Sequence, residues 1–104
     1  MKPIKECRVL VTATSYAMDD PSLRTDLEQT VGEVIYNKAA HPLTGAQLLP
    51  LIKGIDGMIA GLDEITREVI EASDALQVVA RYGVGLDRVD LAAAKAKGVI
   101  VTNT

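Results

Sequence analysis

Aromatic residues are scarce in this 104-residue chain, which contains three tyrosines, no tryptophan and no phenylalanine. Hydrophobic residues nevertheless make up 48% of the sequence, so the core has to be built from aliphatic side chains. Cys7 is the single cysteine, which excludes an intrachain disulfide and favours a reducing, cytoplasmic location. The length fits one domain with one hydrophobic core.

Long apolar runs and blocks of like charge are also missing. No run approaches the roughly 20 apolar residues of a membrane-spanning helix, and the apolar run after Cys7 is too short for a signal peptide. The formal net charge is −3, with acidic and basic residues interleaved along the chain. We therefore expect neither nucleic acid nor a membrane as a partner, and no residue pattern indicates a metal site.

Short apolar runs alternate with helix start signals along the whole chain. The runs predict five strands: Arg8 to Ala13, Glu33 to Tyr36, Gly57 to Ala60, Leu76 to Ala80 and Val99 to Val101. The helix start signals between them are Asp20-Pro21, Thr44 with Gln47, Thr66, and Asp90. Five strands alternating with four helices predict an α/β domain of three layers with a parallel sheet. Three glycines stand where helices end and are predicted to be left-handed: Gly32, Gly54 and Gly98.

The segment from Leu76 to Thr104 combines two buried strands, a loop with two glycines and a helix from Asp90 to Lys97. The loop begins Tyr82-Gly83-Val84-Gly85 and directly follows the fourth predicted strand. Open α/β sheets bind ligands at the carboxyl ends of their strands. Glycines allow close approach of a ligand, and successive backbone N–H groups can bind an anion. Spacing alone, however, favours a plain turn that needs small residues.

The block ARYGVGLDRVD, followed by AAAKAKGVIVTNT, resembles the D-2-hydroxyacid dehydrogenases, a family that includes phosphoglycerate, glyoxylate and D-lactate dehydrogenases. The resemblance covers essentially the whole chain and is strongest from Gly57 onward. It implies a flavodoxin-like sheet of order 2-1-3-4-5 and makes residues 1–104 the substrate-binding domain, with the Rossmann cofactor domain absent from this chain. For the full-length protein it implies NAD or NADP as cofactor, a small 2-hydroxy or 2-keto acid as substrate, and a homo-oligomer.

The resemblance also implies roles for particular residues. Backbone amides of the family's glycine loop hold the substrate carboxylate, and the matching loop here contains Gly83, Val84 and Gly85. Arg81 matches one of two arginines that hold phosphate in phosphoglycerate-specific members. Gly61 stands where the second arginine would align, so we do not expect 3-phosphoglycerate to be the preferred substrate. The family's catalytic residues lie beyond residue 104, and none is assigned in this chain.

Two other interpretations of these motifs are weaker. Gly83-Val84-Gly85 could begin a dinucleotide fingerprint, but Arg88 stands where the third glycine is required, so we predict that this chain alone binds no NAD and is inactive. A phosphoacceptor receiver domain of a signalling system shares the flavodoxin-like architecture. It requires acids after the first strand, an aspartate after the third and a lysine after the fifth, and only Asp63 is roughly placed.

Three acidic or basic groups receive a structural interpretation. Asp63 and Glu64 precede the helix start at Thr66, which predicts a solvated loop, and His41 and Asp19-Asp20 belong to a turn and a helix start.

In the resembled family, the C-terminus returns to pack a helix on this domain. Because that helix is absent here, we expect an exposed apolar patch and self-association of the chain.

Overall fold

The computed structural model describes residues 3–13, 22–36, 43–61, 63–81 and 89–103. Within these residues, five parallel strands form one sheet of order β2-β1-β3-β4-β5, which confirms the expected order. The strands are β1 (Arg8–Val11), β2 (Glu33–Tyr36), β3 (Gly57–Ala60), β4 (Val78–Arg81) and β5 (Ile100–Asn103). The helices are α1 (Ser22–Thr30), α2 (Gly45–Leu48), α3 (Arg67–Ala72) and α4 (Leu91–Lys97), and a 3₁₀ turn (Ile4–Glu6) precedes β1.

Three of the five strands, β1, β4 and β5, have boundaries that differ from the predicted ones. Leu76 and Val99 are buried core residues that precede β4 and β5 without belonging to either strand. An apolar run therefore marks entry into the core rather than the first paired residue. At the other end, β1 stops at Val11 because the N–H groups of Thr12 and Ala13 both donate to the carbonyl of Ile59, at 2.9 and 3.2 Å.

Local side-chain caps begin three of the helices as predicted. Thr44 and Gln47 exchange both bonds of a capping box at the start of α2. Thr66 accepts from the N–H of the third residue of α3, and Asp90 does the same for α4. The predicted cap at Asp20 and the turn at His41 lie outside the described residues.

The glycines confirm two of the three expected left-handed positions. Gly54 and Gly98 have φ values of 73° and 77°. The prediction for Gly32 is wrong, because its φ is not left-handed. Its N–H donates to the carbonyl of Cys7 at 2.9 Å, and an added Cβ would lie 2.6 Å from the carbonyl oxygen of Lys5. Gly32 is therefore required by a close approach of two backbone segments.

One face of the sheet packs against α2, α3 and α4. Leu10, Met58 and Val79 are aligned across β1, β3 and β4 and form the centre of this core. Residues from all three helices join them in one cluster, together with Ile65 and Val89 from the loops. α1 packs against β2, and Val31 just after it lines the opposite face of the sheet.

The opposite face is only partly covered. The aligned residues Val9, Gly57, Val78 and Ile100 define what we call the open face. Val78 is 36% exposed and Ile100 is 64% exposed, and with Ile4 they border an apolar groove of about 310 Å³. This exposed apolar surface lies over β4 and β5. That it is the expected patch, and that the chain associates through it, stay predictions.

Candidate functional site

The carboxyl ends of the parallel strands bring several predicted residues to one edge of the sheet. Thr12 follows β1, Gly61 and Asp63 follow β3, and Arg81 ends β4. The pairing register places Ala60 beside Arg81, and Arg81 beside Asn103 of β5. This carboxyl edge is where an open α/β sheet binds its ligands.

The predicted carboxylate-binding residues belong to the glycine loop, residues 82–88. Gly83, Val84 and Gly85 lie outside the described residues, but both ends of the loop are described. Arg81 ends β4, and Val89 forms an isolated parallel bridge with Ile65. The N–H of Asp90 also donates to the carbonyl of Ile65 at 2.9 Å. Arg81 and Val89, the residues on either side of residues 82–88, are therefore both held by contacts with described residues.

Arg81 reaches the carboxyl edge as predicted, but it is largely enclosed. Its side chain follows Val79 on the helix-covered face of the sheet, since alternate residues of a strand share a face. It is only 6% exposed. A buried guanidinium requires interaction partners, and Arg81 has at least one such interaction. A role in binding substrate stays a prediction.

Asp63 lies at the carboxyl edge in an environment that differs from the predicted one. The prediction of a solvated loop is wrong for Asp63, which is 0% exposed, whereas Glu64 is half-buried. Its Oδ2 accepts from the hydroxyl of Thr12 at 2.5 Å and from the N–H of Gly61 at 3.0 Å. Its Oδ1 accepts from the N–H of Leu43 at 2.6 Å. The buried carboxylate thus joins the ends of β1 and β3 to the residues that precede α2.

Gly61 allows the ends of β1 and β3 to come close together. An added Cβ at this position would lie 3.1 Å from the Cα of Ala13, which is a tight contact with backbone. Any larger residue would therefore require the end of β1 to move. The position that aligns with a phosphate-binding arginine of phosphoglycerate-specific enzymes has no cation here, and a side chain there would require Ala13 to shift by a few tenths of an ångström.

Two charged groups on α3 and just after it have shifted pKa values. The N–H of Gly54 donates to the carboxylate of Asp74 and lowers the pKa of that carboxyl. The hydrogen bond between Arg67 and Glu71 raises the pKa of the Arg67 guanidinium. Both groups are exposed, so these contacts are surface interactions of small energetic weight.

Other kinds of site are not found in the described part of the chain. No cluster of three or more His, Cys, Asp or Glu residues there could hold a metal ion. Of the helices within the described ranges, none has the length and apolar character needed to cross a membrane.

The strand order of the sheet defines the class of domain to which this chain belongs. A parallel sheet of order 2-1-3-4-5 defines a flavodoxin-like α/β domain, a class of domain whose ligands bind at the carboxyl edge of the sheet. The chain matches the family model described as D-isomer specific 2-hydroxyacid dehydrogenase, catalytic domain, over residues 4–104. It belongs to this family.

Individual relatives agree with the family match. The chain is 42% identical over 76 residues to D-3-phosphoglycerate dehydrogenase of Methanocaldococcus jannaschii, covering 72% of this chain and 14% of that protein. It is 33% identical over 105 residues to glyoxylate reductase of Thermococcus onnurineus, covering 100% of this chain and 29% of that protein. The chain thus spans less than a third of either relative.

A solved structure shares the fold and the family. NAD⁺-bound 3-phosphoglycerate dehydrogenase of Entamoeba histolytica superposes with a TM-score of 0.75 and 25% identity, covering 95% of this chain and 33% of that chain. None of these relatives supports the receiver-domain alternative. The geometry also argues against it, because both oxygens of Asp63 are engaged and the residue is buried, whereas a phosphoacceptor must be reached by its donor.

Proposed function

We propose that this chain is the substrate-binding domain of a longer NAD- or NADP-dependent D-2-hydroxyacid dehydrogenase. The whole enzyme would transfer hydride between the nicotinamide and C2 of a small 2-hydroxy or 2-keto acid. The observation that carries the proposal is the family match over residues 4–104. The described residues on either side of Gly83, Val84 and Gly85 support it, since Arg81 ends β4 and Val89 bridges to Ile65.

The proposed role of the loop is to hold the substrate carboxylate. Backbone N–H groups of Val84 and Gly85 would donate to the carboxylate, and Gly83 would give the backbone freedom to turn toward it. Fixed N–H donors bind an anion without having to reorganise, so the C2 carbon would be presented in one orientation. Arg81 would contribute positive charge below the loop.

The nicotinamide would be held outside this chain. Gly83 and Gly85 are not followed by the third glycine of a dinucleotide fingerprint, and the loop follows β4 rather than the first strand of a Rossmann unit. The cofactor supplies the hydride, and the cofactor domain would supply the acid–base groups. This chain would then form one wall of a cleft between two domains.

Gly61 favours an unphosphorylated substrate. The relatives include both a phosphoglycerate dehydrogenase and a glyoxylate reductase, so kinship alone does not choose between them. A phosphate held by two arginines would lose one of two charge-assisted contacts at Gly61. The family resemblance also supports a cytoplasmic homo-oligomer as the form of the whole enzyme.

The experiment is a substrate panel with the purified full-length protein. Oxidation of NADH and of NADPH is followed with glyoxylate, hydroxypyruvate, pyruvate and 3-phosphohydroxypyruvate, and the chirality of each product is determined. We expect turnover with at least one unphosphorylated 2-keto acid and a D-configured product. A folded protein that oxidises neither cofactor with any 2-keto acid would contradict the proposal.

A further inference from the structure

A buried aspartate follows β3 and has no assigned role in the proposed reaction. Asp63 accepts hydrogen bonds from three donors of the described residues: the hydroxyl of Thr12 and the N–H groups of Leu43 and Gly61. These donors belong to three different connections at the carboxyl edge. Since the side chain is completely buried, each bond forms away from competing water.

The segment that Asp63 fixes also contacts the residues that directly follow residues 82–88. Two residues further on, Ile65 pairs with Val89 and accepts from the N–H of Asp90 at 2.9 Å. Val89 is the first residue after the loop, and Asp90 is the N-cap of α4. Asp63, at one end of this short segment, is therefore bonded to Thr12 and Leu43. Ile65, at the other end, contacts Val89 and Asp90.

We propose that Asp63 is a positioning residue that sets the position of Val89 and Asp90, the described residues that directly follow residues 82–88. Its link to carboxylate binding rests on the proposed function, whereas its link to the position of Val89 and Asp90 does not. The carboxylate does not touch substrate. It holds the segment that contains Ile65, and Ile65 contacts Val89 and Asp90. Loss of the Asp63 carboxylate should therefore loosen these contacts and weaken binding of the substrate carboxylate.

Replacement by asparagine tests the carboxylate without changing its size. An ionised aspartate side chain only accepts hydrogen bonds, whereas asparagine presents one oxygen and one NH₂ group. If the NH₂ group faces Leu43, it meets a backbone N–H. If it faces the other way, it meets the N–H of Gly61. Either orientation leaves a buried backbone donor unpaired, which a carboxylate avoids.

Asp56 provides a matched control at the opposite end of the same strand. It precedes β3, is 4% exposed, and its Oδ2 accepts from the N–H of Arg8 at 2.7 Å. Asp56→Asn therefore makes the same chemical change at a buried carboxylate that also binds backbone, but at the amino edge. A purely structural loss should appear equally in both variants.

Both variants are made in the full-length protein, and each is measured in two ways. Steady-state kinetics give kcat/KM for the best 2-keto acid of the panel and KM for the reduced cofactor. Hydrogen–deuterium exchange reports the amide of Asp90, which donates to Ile65. For Asp63→Asn we expect kcat/KM for the keto acid to fall on the order of 10- to 100-fold, with KM for the cofactor unchanged. The Asp90 amide should exchange roughly tenfold faster.

Asp56→Asn should change neither readout at the carboxyl edge. If Asp63→Asn matches Asp56→Asn or the wild type in both readouts, the proposal is wrong. If the wild-type protein turns over no 2-keto acid, the proposed function fails, and the exchange of Asp90 alone decides the role of Asp63.

If Asp63→Asn does not fold, Thr12→Val removes only the hydroxyl donor. It should then show the same pattern to a smaller degree, and no change in either readout would overturn the inference.

Discussion

The open face of the sheet allows a quantitative prediction about self-association of the 104-residue chain. Ile100 is 64% exposed and lies in register beside Val78 on this face. Full burial of an isoleucine side chain contributes about 1.5–3 kcal/mol, so covering the exposed part of Ile100 is worth about 1–2 kcal/mol. We expect the chain to associate through this face with increasing concentration, and Ile100→Glu to weaken the association.

The expected size of the effect follows from the buried area. A loss of about 1–2 kcal/mol raises the dissociation constant roughly fivefold to 25-fold, because each 1.4 kcal/mol is a factor of about ten. If both copies in a symmetric dimer bury Ile100, the factor is squared. A charged glutamate in the contact would add a desolvation cost, so these values are lower bounds.

Sedimentation velocity over a wide concentration range measures the association directly. Leu91→Glu is the matched control, since Leu91 is 47% exposed but lies on α4, away from the open face. It should leave the dissociation constant unchanged. A wild-type chain that stays monomeric throughout would refute the reasoning, as would equal effects of the two substitutions.

Two further predictions concern ligands. The chain alone should not bind NADH, because Arg88 replaces the third glycine of a dinucleotide fingerprint; a micromolar dissociation constant by calorimetric titration would contradict this. In the full-length enzyme, 3-phosphoglycerate should not be the preferred substrate, because Gly61 supplies no cation for its phosphate. A preference for 3-phosphoglycerate over unphosphorylated 2-hydroxy acids by orders of magnitude would show that the inference from Gly61 is wrong.

The parts of the fold that depend on neighbouring residues could be predicted from the sequence. The capping box of Thr44 and Gln47 spans one helical turn, and the left-handed Gly54 and Gly98 follow from the local need to reverse the chain. Spacing predicted alternating strands and helices, but the strand order came from the family resemblance. Pairing between distant strands leaves no local signal.

The parts that depend on distant contacts could not be predicted. Asp63 is buried because Leu43 and Thr12, 20 and 51 positions away, supply donors to its carboxylate. From the sequence alone, an aspartate beside a glutamate is typical of a solvated loop. The prediction for Gly32 was wrong for a similar reason. The carbonyl oxygen of Lys5, which leaves no room for a side chain at position 32, comes from the segment that precedes β1. A Thr after one strand and a Gly-x-Asp after another is the pattern that could have indicated the buried carboxylate.

The central claim is that the glycine loop of this chain binds the carboxylate of a 2-keto acid. Gly85→Val in the full-length enzyme tests it most directly, because a branched side chain restricts the backbone and crowds the bound anion. Loss of preorganised donors costs about 2.7–4 kcal/mol in the barrier, or roughly 100- to 1000-fold in rate. Steady-state kinetics should show this loss for every carboxylate substrate, with KM for the reduced cofactor unchanged. Ala96→Val, at an exposed position of α4, should behave as wild type. An unchanged kcat/KM in Gly85→Val would contradict the account.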